Sequence, residues 1–509
     1  MIKKVVIVGG GTAGWMTASA FARHLPQECK VTLIESDQIA KVGVGEATIP
    51  VIRTFNSSLG IDEKEFMRRT NATFKLGIRF ENWARKGDAY NHAFGFFGRP
   101  VEDIPFHHFW LKRHGSDEQA SIFDCNVPAV ASDMNRYAHR QYDDQDLGAR
   151  YFYAFQFDAH LYAAYLSEWA QARGVTRREG KITEVTTDNE SGFIQSVSLE
   201  NGESIEGDLF IDCSGFRGLL INQTMGVDFL DWSHWLPCNR AWAVSSAYPT
   251  NRAIIPPYTR ARALTAGWQW RIPLQHRTGD GNVFCNDFIS EDEARSQLLD
   301  NIEGEPLGEP RLLKFTTGKR EKLWHKNCVA IGLSGGFLEP LESTSIALIQ
   351  GAIMTLLKHF PDGQYDKVRE DAFNRRLQEK YEESRNFLIL HYHATQRDDT
   401  EFWNYCRTMS IPDELRHRME LFEKTGFVSF NKADLFLEHN WLAVLFGQRV
   451  IPKAYDERVD RFSDAQVRDI VEPMRAGIRD AVSSMPLHNQ TLEDYCAGDL
   501  ISMIEKAGQ

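Results

Sequence analysis

Apolar residues open the chain in short continuous runs, Lys3 to Val8 and then Val31 to Ile34. Runs of that length without polar alternation predict strands buried on both faces of a parallel sheet. Between them, Ala13 to Leu25 places apolar residues at helical spacing and stops at Pro26, so a β-α-β unit closes within the first 35 residues. Phe74 to Phe80 alternates instead, which predicts a half-buried strand. Phe74, Leu76, Ile78 and Phe80 would share one face, with Lys75, Gly77 and Arg79 on the other. His160 to Ala172 has helical spacing before Gly174, and Leu209 to Ile211 and Val329 to Leu333 read as further buried strands. Ser343 to Phe360 reads as a long apolar helix, and from Asp371 onward the pattern is helical with charged faces. The stretch from about Asp231 to Phe288 mixes Trp, Pro and short β-like runs, the pattern of additional sheet. With no repeat, low-complexity tract or linker, residues 1–509 are expected to form one interwoven body.

Composition narrows the classes. Lys and Arg total 58 against 70 Asp and Glu, and the net charge of −12 argues against nucleic acid or an anionic membrane as partner. Apolar residues at 42% and charged residues at 25% exclude a mostly disordered chain. The eight cysteines are scattered without a C-x-x-C, so neither a disulfide scaffold nor a metal site is expected, and a reducing, cytoplasmic setting fits. The first apolar run turns into glycines, not a cleavage site, and no stretch is long enough to cross a bilayer.

Those glycines carry the first chemistry. Gly9, Gly11 and Gly14 form G-x-G-x-x-G between a strand and a helix. The first permits the tight turn, the second lets a pyrophosphate reach the backbone, and the third lets helix and strand pack closely. Thr12 and Ala13 would offer N–H groups of the helix N-terminus to the phosphates. Glu35 ends the second strand about 20 residues after Gly14, where an acid accepts ribose hydroxyls. The later segment Ile211-Asp-Cys-Ser-Gly-Phe-Arg-Gly218 is like the returning strand and turn of FAD-binding domains, so FAD is favoured over NAD. The expected class is α/β, an FAD-binding Rossmann-like (GxGxxG) fold with additional sheet and a mostly helical C-terminal region. The FAD module would be built from about 1–85, 150–225 and 310–360, and the substrate part from about 86–149, 226–309 and 361–509.

Several stretches together resemble the flavin-dependent halogenases, specifically the tryptophan/indole branch. They are GGGTAGW (9–15) with GVGEATIP (43–50), GWQWRIP (267–273) and FLEPLEST (337–344), supported by FDAHL (157–161) and GDLFIDCSG (207–215). Trp268, Trp270, Ile272 and Pro273 fit the family's W-x-W-x-I-P signature, and the likeness runs from residue 1 to about residue 450. The resemblance implies FADH2 as cofactor, O2 and chloride or bromide as co-substrates, and hypohalous acid as the agent that halogenates an electron-rich aromatic. It makes Lys75, in TFKLGIRFENW, the catalytic lysine, which hydrogen-bonds hypohalous acid or carries the halogen as a haloamine. Read from periodicity alone, Lys75 belongs to a solvated polar face. Glu342 of PLEST becomes the carboxylate close to that lysine that activates the halogenating species or takes the ring proton. Its rival three residues earlier is Glu339, and the plain alternative is a helix-terminal carboxylate. Halide would bind at Thr344 and Ser345, the latter standing where relatives commonly carry Gly.

Other assignments rest on the same resemblance. Glu46 and Ala47 belong to a strap over the flavin, Leu333 and Ile346 flank the isoalloxazine, and Val185 contacts the adenine side. Trp268 and Trp270 line the flavin side or are plain core aromatics. His92 and Phe94 of HAFG sandwich an indole ring, with Pro105 and Phe436 as further walls. The free-tryptophan enzymes carry a tyrosine-rich lid, reduced here to GFVSFNKAD (426–434) with no tyrosine pair. Indole or an indole derivative is therefore expected in place of free tryptophan. A separate NAD(P)H-dependent flavin reductase is the implied partner, and a homodimer is allowed. Two other readings share the FAD fold: an aromatic hydroxylase, independent of Lys75, and a flavin-binding protein without turnover.

Overall fold

The computed structural model describes residues 2–38, 45–114, 120–249, 254–363, 365–431 and 433–496. The chain divides into two compact units, each assembled from three separate segments. The first comprises Met1–Ala72, Phe157–Asn239 and Lys314–Glu382. Its six-stranded sheet runs in the order Trp324–His325, Cys328–Ala330, Leu209–Asp212, Lys4–Val8, Lys30–Glu35 and Thr176–Glu179. All neighbours are parallel except the Trp324–His325 edge. Lys4–Val8 is central, and its Val5, Val6, Ile7 and Val8 are all buried, as a strand covered on both faces requires. The parallel crossover to Lys30–Glu35 is made by the helix Thr12–His24. A small antiparallel sheet of Ile182–Thr187, Ile194–Leu199 and Ser204–Glu206 contributes Ile194, Val197 and Leu199 to a core shared with Val6, Val8, Ile34 and Phe210. Each such side chain contributes about 1.5–3 kcal/mol by leaving water.

The second unit comprises Thr73–Gln156, Arg240–Leu313 and Glu383–Gln509. Its seven-stranded sheet runs Arg311–Lys314, Arg240–Ser246, Thr278–Phe284, Gly267–Pro273, Thr259–Ala263, Gly77–Glu81 and Ala89–Ala93. This is the additional sheet expected from the Trp- and Pro-rich middle of the chain, extended by strands from elsewhere. Beyond it the chain is helical, with Glu401–Thr408, Asp413–Thr425, Glu438–Gly447, Asp464–Ser483 and His488–Cys496.

One expectation changes here. Phe74 to Phe80 is not a single half-buried strand: Thr73–Lys75 pairs with Ala154–Asp158, and Gly77–Glu81 joins the seven-stranded sheet. The chain changes sheets at Leu76, whose N–H donates to Pro257 O and whose carbonyl accepts the N–H of Phe94. Both faces are covered, and Lys75 has 0% exposure, so the solvated-face reading of that lysine fails. Among the described residues no helix is long and apolar enough to cross a membrane, no group of side chains is arranged to hold a metal ion, and all eight cysteines are free thiols.

Candidate functional site

In the first unit the three glycines meet three different surroundings. Gly9 has φ 115°, and a Cβ there would lie 2.2 Å from the carbonyl oxygen of Cys213. A Cβ on Gly14 would lie 1.9 Å from the carbonyl oxygen of Gly9, so the helix packs on the turn itself. A Cβ on Gly11 would meet nothing within 4 Å. That open space lies at the N-cap of Thr12–His24, where no side chain caps the helix and no acidic residue occupies the first turn. A diphosphate fits such a place, because backbone N–H groups and the helix dipole both favour an anion. Glu35 closes its strand beside this turn, with Oε2 where a Cβ of Gly10 would stand and Oε1 accepting Arg177 Nε at 2.6 Å.

Asp212, fully buried at the end of Leu209–Asp212, organises the returning segment. Its Oδ1 accepts the N–H and hydroxyl of Ser214, its Oδ2 accepts the N–H groups of Leu220 and Ile221, and its carbonyl accepts the Ser334 hydroxyl. Leu333 sits in that same Gly332–Ser334 turn. Val185 is half-buried against the core of this unit. Ala47 is buried in the short strand Gly45–Ala47, and burial pushes the neighbouring Glu46 carboxyl up to about 7. Gly43 and Val44 of that loop lie outside the described residues.

The PLEST segment folds as a short turn, Pro340–Glu342, then Ser343 at φ 58°, then Thr344 as N-cap of the helix Ser345–Lys358. The expected helix is thus shorter at its start, and Glu342 stands before it. Glu339 and Glu342 are both buried, at 0% and 1% exposure. The cap makes no side-chain hydrogen bond, and no acid stands in the helix's first turn. The buried Thr344 hydroxyl has no hydrogen-bond partner among the described residues, so it is a donor available to an anion. Ser345 and the buried Ile346 follow in the first helical turn.

In the second unit, Lys75 ends Thr73–Lys75 opposite Ala154, and its Nζ lies 5.5 Å from the centroid of the Phe94 ring. The Leu76 step fixes both: Phe94 is held to Leu76 by a backbone hydrogen bond of 2.7 Å. Gly77 makes the step fit, since a Cβ there would lie 2.4 Å from the His92 carbonyl oxygen. Next to Lys75, Phe74 stacks on Tyr137 at 4.3 Å. A buried chain of hydrogen bonds runs from Thr259 through Gln156 to Thr73 and on to the carbonyl of Pro273. It ties the lysine's strand to the end of Gly267–Pro273, in which Trp268 and Trp270 are buried.

His92 is buried within an aromatic group formed by Phe387 and Phe436, and Phe436 stacks on Phe387 at 3.9 Å. Asn440 Nδ2 lies 3.0 Å from His92 Nε2. Beside it, burial, with a smaller effect of His92, lowers His439 to about 3. His92, Phe94 and Phe436 were named from the family motifs, whereas Asp212, Gln156, Phe387 and Asn440, which organise these surroundings, were not singled out. Of these only Asp212 had a local signal, an acid closing an apolar strand before a glycine turn.

A family model described as tryptophan halogenase matches residues 4–464. The tryptophan 6-halogenase ThaL of Streptomyces albogriseolus is 38% identical over 444 residues, covering 83% of this chain and 82% of its own. Among solved structures, a flavin-dependent halogenase from Xanthomonas campestris superposes with a TM-score of 0.93 at 44% identity, covering 97% of this chain and 99% of that one. BrvH, a flavin-dependent halogenase from Brevundimonas sp. BAL3, gives the same TM-score and coverage at 41% identity.

Proposed function

The chain belongs to the tryptophan halogenase family, and from that premise we propose how its residues divide the work of an FADH2-dependent halogenation of an indole-type aromatic. It is an enzyme, a flavin-dependent halogenase. Bound as FADH2, the cofactor supplies from O2 and halide the hypohalous acid that the reaction consumes. The open space at Gly11 and the uncapped N–H groups of Thr12 and Ala13 take the diphosphate, with Gly9 and Gly14 shaping the turn. Glu35, oriented by Arg177, receives the ribose hydroxyls. Glu46 and Ala47, Leu333 and Ile346 face the ring system, and Val185 the adenine side. Thr344 and Ser345 hold the halide at the head of their helix, where the buried hydroxyl and the N–H groups point to an anion.

Lys75 receives the electrophilic halogen. Either its ammonium hydrogen-bonds the oxygen of hypohalous acid, or its amine exchanges a proton for halogen and releases water. The aromatic carbon then takes the halogen, and Glu342 accepts the displaced ring proton. His92, Phe94 and Phe436 hold the flat ring, excluding water from the electrophile. The substrate proposed is indole or an indole derivative, supported by the loss of the tyrosine pair in residues 426–434. A separate NAD(P)H-dependent flavin reductase supplies the reduced cofactor.

The observation that carries this reading is a lysine with no solvent exposure lying over a phenyl ring in the family's own motif. The test is Lys75→Ala with Lys75→Met as a shape-preserving control, assayed with reductase, FAD, NADH and indole. Loss of halogenated product with continued NADH oxidation and unchanged melting supports the assignment. Product retained in both variants overturns it.

A further inference from the structure

A wall built from histidine is exposed to the enzyme's own oxidant. The lone pair of an imidazole nitrogen is a nucleophile, and hypohalous acid converts the ring to an N-haloimidazole with release of water. Which nitrogen carries that lone pair is set by the hydrogen bond it makes. At His92 the surrounding network decides it. Asn440 Oδ1 accepts the N–H of Leu437 at 2.8 Å, the N–H that opens the helix Glu438–Gly447. That bond fixes the amide, because a flipped Asn440 would set its NH2 against the Leu437 N–H. Nδ2 therefore faces His92 Nε2 at 3.0 Å, and since Nδ2 can only donate, Nε2 must accept.

Resting on the reading of His92 as a substrate wall, we propose that Asn440 is a positioning residue that holds the His92 proton on Nδ1 and occupies the Nε2 lone pair, so that the wall does not compete with Lys75 for the electrophilic halogen. Three surroundings support a fixed arrangement. His92 and Asn440 are both buried, at 1% and 8% exposure, and Phe387 and Phe436 pack on the ring. Asn440 is anchored at the start of a helix, so its amide direction follows from backbone geometry.

The test reads the tautomer directly, by 15N NMR of the full-length protein labelled at histidine, with His92→Gln assigning the signals. In the wild type, Nε2 of His92 should resonate as a lone-pair nitrogen and Nδ1 as an N–H. Asn440→Asp keeps an oxygen for Leu437 N–H and turns a second toward His92, so the two signals should exchange places. Asn440→Ala removes this donor from Nε2, and mass spectrometry after turnover should show halogen on the peptide containing His92, at background in the wild type. A wild-type His92 protonated at Nε2, or no change of tautomer in Asn440→Asp, overturns the proposal whatever the activities. The wall reading fails separately, by an unchanged KM for indole in His92→Phe.

Discussion

Lys75 stands at the end of a three-residue strand with no exposure, beside a phenyl ring that draws cationic charge toward its face. Such a contact contributes about 0.5–2 kcal/mol to an ammonium. A guanidinium donates hydrogen bonds but cannot carry the halogen as a haloamine, so Lys75→Arg separates the two roles: chromatography of the indole fraction should show product lost, as in Lys75→Ala, under the haloamine role and retained under the hydrogen-bonding role. Glu342, proposed to accept the ring proton, should on change to Gln lower kcat by about 10²–10⁴-fold with little change in KM. Glu46 gives a pH signature. Its carboxyl is held up at about 7 from an ordinary 4.5, so the folded state binds this proton more tightly than the unfolded chain. Stability from this group is therefore full below the ordinary value and is lost as pH rises through that interval. Thermal melts of the cofactor-free protein should show that loss, and Glu46→Gln should remove it.

At the scale of elements, the glycine turn separates binding from folding. Gly11→Ala meets no neighbour and has an ordinary φ of −77°, so melting should be unchanged. The added methyl fills the proposed diphosphate cradle, so FAD affinity should fall about tenfold or more, ~1.4 kcal/mol at least. Gly14→Ala collides with the Gly9 carbonyl and should cost about 1–3 kcal/mol in stability, measured by denaturant unfolding. This turn was legible because its motif is local: strand, glycines, helix and acid follow within the first 35 residues. The lysine's strand was not. Alternation reports which positions are covered, not which sheet covers them, and nothing in FKLGIRF marks the change of sheet at Leu76. The start of the PLEST helix was also displaced, because Ser343 takes a left-handed conformation without the usual Gly or Asn to signal it. Contacts such as Asn440 to His92 or Gln156 to Thr73 join distant segments and leave no trace in any local pattern.

Over the whole molecule, the proposed functional residues are divided between the two units. The glycine turn, Glu35 and PLEST belong to one, and Lys75, His92, Phe94 and Phe436 to the other. The chain visits each three times; from sequence the expectation is an FAD module of about 1–85, 150–225 and 310–360 and a substrate part of about 86–149, 226–309 and 361–509. The site residues were named through the family motifs; charge and cysteine spacing only removed competitors. Halogenation of an indole-type ring through Lys75 is read by mass spectrometry of an aerobic mixture of protein, FAD, flavin reductase, NADH and indole with equal chloride and bromide. A halogen isotope doublet on indole, absent with Lys75→Ala, is the expected result. Hydroxylated indole in its place, or a doublet that persists in Lys75→Ala, would contradict it.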